Sequence, residues 1–160
     1  MNPRRPRLGF MVSGVKPHRR ERALARSGDS NEVVARWEGG WRATVTAGPF
    51  SFTVDEPEGV GGTFAGPMPT EYFLGSLASC YALALAWCAR KRGIELPDLS
   101  VSATGEYDGP SFSGIRLRIR SSLPAERLQP LLAPASRVCY VSNTLARTPR
   151  VEVETAGADI

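Results

Sequence analysis

The sequence predicts an α+β domain with the element order βββ–α–ββ–α–β, and three observations predict it. From Asn31 to Asp55 apolar and polar residues alternate, broken by Gly-Gly and Gly-Pro pairs, which is the pattern of short antiparallel strands. From Tyr72 to Ala89 there are 18 consecutive uncharged residues, too long for a strand. A second alternating stretch, "DLSVSATGEYDGPSFSGIRLRIRSSLP", follows, then a proline-interrupted helical stretch and a short closing "RVEVET".

Taken in order, strands are expected near Glu32–Trp37, Trp41–Ala47 and Ser51–Asp55, joined by turns at Gly39-Gly40 and Gly48-Pro49. The segment from Glu56 to Pro69 is rich in Gly and Pro and reads as a loop. Its "GVGG" lacks the Lys-Ser/Thr of a phosphate-binding loop and reads as a flexible connection. Thr70 suits the N-cap of the long helix and Glu71 its first turn. Arg90, Lys91 and Arg92 suit its last turn, and Gly93 the residue beyond. Two strands, about Leu99–Tyr107 and Gly114–Ser121, flank a Gly109-Pro110 turn. In the second, Ile115, Leu117 and Ile119 face one side and Arg116, Arg118 and Arg120 the other, so one face is buried and one wet. Pro124 suits a helix start. Pro130 and Pro134 predict a kink or two short helices. Arg150–Thr155 is expected to be the last strand.

The chain has 160 residues, enough for one domain with a real core over residues 32–156. Its net charge of +4 is unevenly placed. Residues 1–30 hold eight Lys/Arg against two acids, and the rest of the chain carries a net −2. Residues 1–31 therefore read as a basic, disordered extension, and the body has no positive excess to attract a nucleic acid. The single histidine is His18, in that extension, and there is no C-x-x-C, so neither a zinc site nor a His-assisted nucleophile is indicated. No metal or organic cofactor is expected. Free thiols without an export signal point to the cytoplasm.

Eighteen uncharged residues span about 27 Å as a helix, just enough for a bilayer core. Against a membrane span stand the many small residues of the run (Gly75, Ser76, Ala78, Ser79, Ala82, Ala84, Ala86) and the flanking strands, which need a common core. Large apolar side chains nonetheless go nearly all round the cylinder, which predicts a helix buried on every side. So short a chain has few elements to wrap one, so a second subunit in a symmetric dimer is expected. The helix carries Cys80 and Cys88, eight residues or about 12 Å apart, beyond the roughly 7 Å Cα separation a disulfide tolerates. An intrachain redox partner for Cys80 has to be Cys139, in "RVCYVSNTL". The residues alone leave the other reading open, in which all three cysteines are inert core residues.

"GPMPTEYFLGSLASC", then "CARKRGIELPDLSVSATGEY", then "ASRVCYVSNTLA" before a last "VEVE" together resemble the osmotically inducible protein C / organic hydroperoxide resistance (OsmC/Ohr) family, over roughly Asn31 to Thr155. The resemblance implies an intertwined homodimer, with antiparallel sheets wrapped around long central helices. It implies a thiol peroxidase that reduces organic hydroperoxides, with Cys80 the peroxidatic and Cys139 the resolving cysteine, regenerated by an external dithiol reductant. An apolar wall of Phe73, Leu77 and Tyr81 would favour organic peroxides. Burial raises a thiol pKa, so a thiolate at Cys80 needs a cation, and an arginine is the natural choice. Peroxidases of this family take that arginine from the first hairpin and use a glutamate just before the helix. Here Arg42 is the candidate, with Arg36 on the preceding strand as the other; an exposed strand arginine fits Arg42 equally well. Glu71 lies nine residues before Cys80, where the family pattern has ten, so a helix-dipole role fits it as well as a catalytic one. Tyr140 stands where a proline often follows the second cysteine. These departures point to an OsmC-like branch, for which the alternative function is a non-catalytic protein holding a small apolar ligand in the dimer cleft.

Overall fold

The structure is a computed structural model and describes residues 28–157. The chain divides into residues 1–32 and Val33–Ile160. All elements below belong to the second unit, and the basic extension expected over residues 1–31 lies almost wholly outside the described residues.

Three short strands, β1 (Val34–Trp37), β2 (Ala43–Ala47) and β3 (Phe50–Val54), form an antiparallel sheet in the order β1-β2-β3. The β2–β3 register runs from Ala43 opposite Val54 to Ala47 opposite Phe50, leaving Gly48 and Pro49 as a two-residue loop. Gly48 has φ 60°, the positive value that the first central residue of such a tight hairpin requires. A second antiparallel pair, β4 (Ser100–Asp108) and β5 (Ser111–Arg120), is closed by the same device, with Gly109 at φ 57° before Pro110. Ile115, Leu117 and Ile119 pack on the core while Arg116, Arg118 and Arg120 are exposed, as the alternation predicts.

Between the two sheets in chain order comes α1 (Pro69–Arg90), 22 residues and about 33 Å long. It starts two residues earlier than Thr70 would allow as cap. Pro69 occupies the first helical position, where its missing N–H costs nothing, and Met68 is the cap. Thr70 instead accepts a hydrogen bond from the Tyr107 hydroxyl at 2.9 Å. At the other end Gly93, with φ 64°, turns the chain so that the Ile94 N–H reaches the Ala89 carbonyl at 2.9 Å.

Within one chain α1 is not buried all round. Leu77, Tyr81, Ala84, Leu85, Cys88 and Ala89 form one buried stripe, recurring at helical spacing, while Leu83 and Trp87 on the opposite side stay exposed. By length and composition alone α1 could cross a membrane. Its stripe is packed by two further helices and by the β4–β5 hairpin.

Those helices are α2 (Ala125–Val138) and α3 (Tyr140–Arg147). The expected interruption exists, but not at the prolines. Pro130 and Pro134 lie inside α2, whose helix continues through both. Pro130 is exposed and Pro134 half-buried, so water can serve carbonyls deprived of their N–H partners. Leu131 and Ala135, on the inner face, are fully buried and hold the helix to α1. The break falls at Cys139, where ψ of 108° leaves the helical region.

The expected last strand is absent from the described residues. After Thr148, at φ 46°, the chain runs extended without a ladder, and Val151 and Val153 are 82% and 92% exposed. Alternation marks a segment able to pair, but a strand forms only where a sheet edge is in reach, and no described edge meets this one.

Candidate active site

Cys80 projects from the edge of the buried stripe of α1, half-buried, and Cys139 sits at the elbow between α2 and α3, with 0% exposure. The elbow is where sequence order becomes site geometry. Cys139 ends one helix, its N–H still bonded to the Ala135 carbonyl at 2.9 Å, and begins the next, its carbonyl accepting the Asn143 N–H at 3.1 Å. The Asn143 side chain clamps the turn. Its Nδ2 donates to the carbonyls of Ser136, Arg137 and Cys139 at 3.2, 3.0 and 2.9 Å. The last carbonyls of a helix are orphaned, and here one amide serves two of α2's.

The first N–H groups of α3 are orphaned too, and the Cys139 side chain at that helix's N-cap makes no capping hydrogen bond. The N–H groups of Val141 and Tyr140 lie close enough to bear on the acidity of Cys80, and those of Ser142 and Val141 on that of Cys139, while the Ser142 hydroxyl donates to the Cys139 carbonyl at 3.2 Å. Cys80 and Cys139 lie near enough to act on each other's acidity, and all three cysteines are free thiols.

Their acidities are pushed apart. Burial pushes Cys80 up, and the Val141 and Tyr140 N–H groups do not offset this because the Cys139 sulfur beside it also opposes ionisation. Burial acts in the same sense on Cys139, but the Ser142 hydroxyl, the Ser142 N–H, the Cys80 thiol and the Val141 N–H outweigh it, and Cys139 is pulled down. The groups that act most on the two sulfurs are each other and the start of α3, none of them cationic.

Arg42, at the start of β2, is engaged elsewhere. Its NH2 group donates to the Thr63 hydroxyl at 2.6 Å, and its Nε lies 3.9 Å from Asp55 Oδ2. Arg36 lies exposed on β1. Glu71 accepts the Met68 N–H at 2.9 Å, closing the first turn of α1. Phe73 stacks on Phe112, ring centroids 6.1 Å apart, and with Phe52 and Tyr72 lines an open groove of about 900 Å³ that also reaches Ser76 and Ser79. Leu77 is buried one turn before Cys80. Tyr81 faces α2, its hydroxyl donating to the Leu132 carbonyl at 3.1 Å beside Ser136. Cys88 is buried in the core.

Sequence reasoning missed Ser142 and Asn143 as contributors. It also missed Asp55, which is buried and gathers the loop that follows it. The N–H groups of Glu56, Thr63 and Ala65 and the Thr63 hydroxyl all donate to its carboxylate at 2.6–3.2 Å. The segment expected to be a flexible connection is thus wound around a carboxylate. The signal for this was thin: an acid closing an alternating strand, with small polar residues after it.

The sequence profile of the OsmC-like protein family matches residues 60–154, which contain both cysteines. No curated protein matches the chain. Among solved structures, the chain is similar to a candidate osmotic-stress-induced and detoxification-response protein of Psychrobacter arcticus. That match has TM-score 0.63 and 19% identity, covering 76% of this chain and 91% of the other. It is also similar to an organic hydroperoxide resistance protein OsmC of Legionella pneumophila, with TM-score 0.55 and 21% identity, covering 75% and 91%. A third similar structure is an OsmC-like protein of unknown function from Vibrio cholerae, with TM-score 0.58 and 16% identity, covering 72% and 93%. At these identities the matches establish the α+β fold with its long helix and antiparallel sheets.

Proposed function

Because the chain belongs to the OsmC-like protein family, we propose that its adjacent thiols form a two-cysteine peroxidase centre that reduces organic hydroperoxides to alcohols. The observation that carries this reading is the nearness of Cys80, on α1, to the fully buried Cys139 at the start of α3, each acting on the other's acidity, with one raised and the other lowered. Two groups whose acidities are driven apart make a natural acid–base pair.

The chemistry balances with the groups present. The Cys80 thiol gives up its proton, and its sulfur attacks the distal oxygen of the hydroperoxide as the thiolate. The O–O bond breaks, Cys80 becomes a sulfenic acid, and the alkoxide collects a proton from water to leave as the alcohol. The Cys139 sulfur then attacks the Cys80 sulfur. The S–O bond breaks, and the departing hydroxide takes the Cys139 proton and leaves as water. Two electrons have passed from the dithiol to the peroxide, and a dithiol reductant restores them. The Tyr140 and Val141 N–H groups stabilise negative charge at Cys80 in the first step, a duty that a cation would otherwise perform.

Arg42 and Glu71 enter this reading as structural ties, the one on the loop and the other on the helix start. A second copy of the chain belongs to it, because the exposed side of α1 and the unpaired Val151–Val153 segment both leave apolar surface to water. The second reading, a carrier of a small apolar ligand, is favoured by the groove lined by Phe52, Tyr72 and Phe73. A consumption assay with cumene hydroperoxide and a dithiol separates the two. The peroxidase reading expects turnover in wild type and none in Cys80→Ser. Equal rates in both would leave the carrier reading.

A further inference from the structure

The far end of α1, about three turns beyond Cys80, carries a feature that the thiol chemistry does not use. There the last turns of α1 and α2 frame a cavity of about 520 Å³. Its charged lining is Lys91 and Arg92 at the end of α1 and Arg137 on α2; its apolar walls include Trp87, Pro134 and Val138. Pro134, Arg137 and Val138 recur at three and four residues, so one face of α2 presents them together. Three cations thus line one cavity, and no acid does. Acids were not scarce, since the chain beyond residue 30 carries a net −2. The ion pairs among the described residues join Arg42 to Asp55, Arg116 to Glu106 and Arg150 to Glu152, and none reaches these three side chains.

The ordinary task of cations at a helix C-terminus is to serve its orphaned carbonyls. Here other groups do most of that. On α1 the N–H groups of Lys91, Arg92, Gly93 and Ile94 take the carbonyls of Trp87, Ala89 and Arg90, and the Arg92 side chain donates to the Cys88 carbonyl at 3.3 Å. On α2 the Asn143 amide takes the carbonyls of Ser136 and Arg137. The Arg137 guanidinium and the Lys91 ammonium are left over, and Lys91 stands 5.6 Å from the centroid of the Trp87 ring. Two helix C-termini together supply about −1 of charge against three cations, an excess of about +2. Like charges gathered in one concavity repel until an anion enters it.

We propose that this cavity binds a small oxyanion, a phosphate or a carboxylate, carried on a flat apolar body. Arg92 and Arg137 offer planar forks that match pairs of oxygens, and Lys91 adds a point charge. The walls call for the body: they are apolar, and the volume of about 520 Å³ is that of a small-molecule site rather than of a bare ion. A second copy of the chain meeting this face through its own would set cation against cation, so it is not the occupant. The site stands apart from the peroxidase reading and does not rest on it.

The experiment is calorimetric titration of the reduced full-length protein without peroxide, so its outcome is separate from that of the peroxidase assay. The probes are phenyl phosphate and benzoate, with phenol as the uncharged control. Saturable binding of at least one anion is expected, the tighter of the two identifying the head group, with phenol weaker by about tenfold or more. Arg137→Gln, which removes a charged donor from an exposed position, should weaken binding about tenfold or more, and Lys91→Gln should act in the same sense. Arg137→Lys, which keeps the charge and loses the fork, should recover part of the loss. Arg118→Gln, which removes an equal charge from the outer face of β5, should leave binding unchanged. Salt at about 1 M, where charges are screened beyond about 3 Å, should weaken it. No saturable heat with either anion, phenol binding as tightly as the anions, or wild-type affinity in both Arg137→Gln and Lys91→Gln would each overturn the proposal. So would an equal loss in Arg118→Gln, the mark of diffuse attraction rather than of a site.

Discussion

Asp55 and Cys139 lie equally deep in the chain, at 1% and 0% exposure. They differ in what faces them. The Asp55 carboxylate is surrounded by donors from the ten residues that follow it, with Arg42 beyond, and its pKa is drawn down from 3.8 to about 2 by the Thr63 hydroxyl and the nearby N–H groups, against the opposing effect of burial. Its charge is permanent and its neighbours are spent on it. Cys139 lies beside a second ionisable group, Cys80, and each bears on the other's acidity. The buried carboxylate organises a loop; the buried thiol has a neighbour with which it can exchange a proton or a bond.

That contrast can be broken most severely at the thiols. Cys139→Ser should abolish disulfide formation entirely. With excess cumene hydroperoxide, Cys80 should then advance to sulfinic acid, a gain of two oxygens by intact mass, where wild type stops at a loss of two hydrogens. Removing the clamp should have a smaller effect. Asn143→Ala frees the ends of two helices and is expected to cost about 1–2 kcal/mol in urea unfolding, and to slow closure of the disulfide in stopped flow.

At Asp55 the expectation runs through stability alone. A carboxylate with a folded pKa below its unfolded value stabilises the fold above the unfolded pKa and loses that contribution as pH falls through the folded one. Here the window lies between 3.8 and about 2. Asp55→Asn should lower the thermal midpoint at pH 7 and flatten the dependence of stability on pH in that window, leaving the rate of Cys80 oxidation unchanged. The smallest effect on chemistry is expected at Arg42. Arg42→Ala should loosen the loop and lower the midpoint, with peroxide consumption close to wild type. A fall of about a hundredfold, the weight of a lost transition-state donor, would instead bring the guanidinium to the thiol in the assembled dimer.

Much of this was legible in the sequence because it depends on local pattern. Ile115, Leu117 and Ile119 against Arg116, Arg118 and Arg120 declare a strand and its inner face. The Gly-Pro pairs at residues 48 and 109 declare their hairpins. The pairing of Cys80 with Cys139 came from resemblance, since no spacing could bring a mid-helix residue to an elbow 59 positions later. What stayed hidden depends on tertiary context. Pro130 and Pro134 mark a helix break by every local rule, yet burial of Leu131 and Ala135 carries α2 past them and moves the break to Cys139. Once the break is there, the N–H groups that bear on the thiol acidities come from the backbone of residues 140–142, and backbone donors leave no mark in a sequence. A search confined to cationic side chains had no means of finding them. Arg150–Thr155 failed for the opposite reason: its pattern is right, and the edge it would pair with is not among the described residues of one chain.

The account rests on the two sulfurs at the start of α3 forming one bond when a hydroperoxide arrives. The direct measurement is mass spectrometry of the reduced full-length protein after one equivalent of cumene hydroperoxide, with free thiols blocked and the chain digested without reduction. The account predicts a peptide pair joined through Cys80 and Cys139, with Cys88 alkylated. Three alkylated cysteines and unconsumed peroxide, or a bond through Cys88, would contradict it.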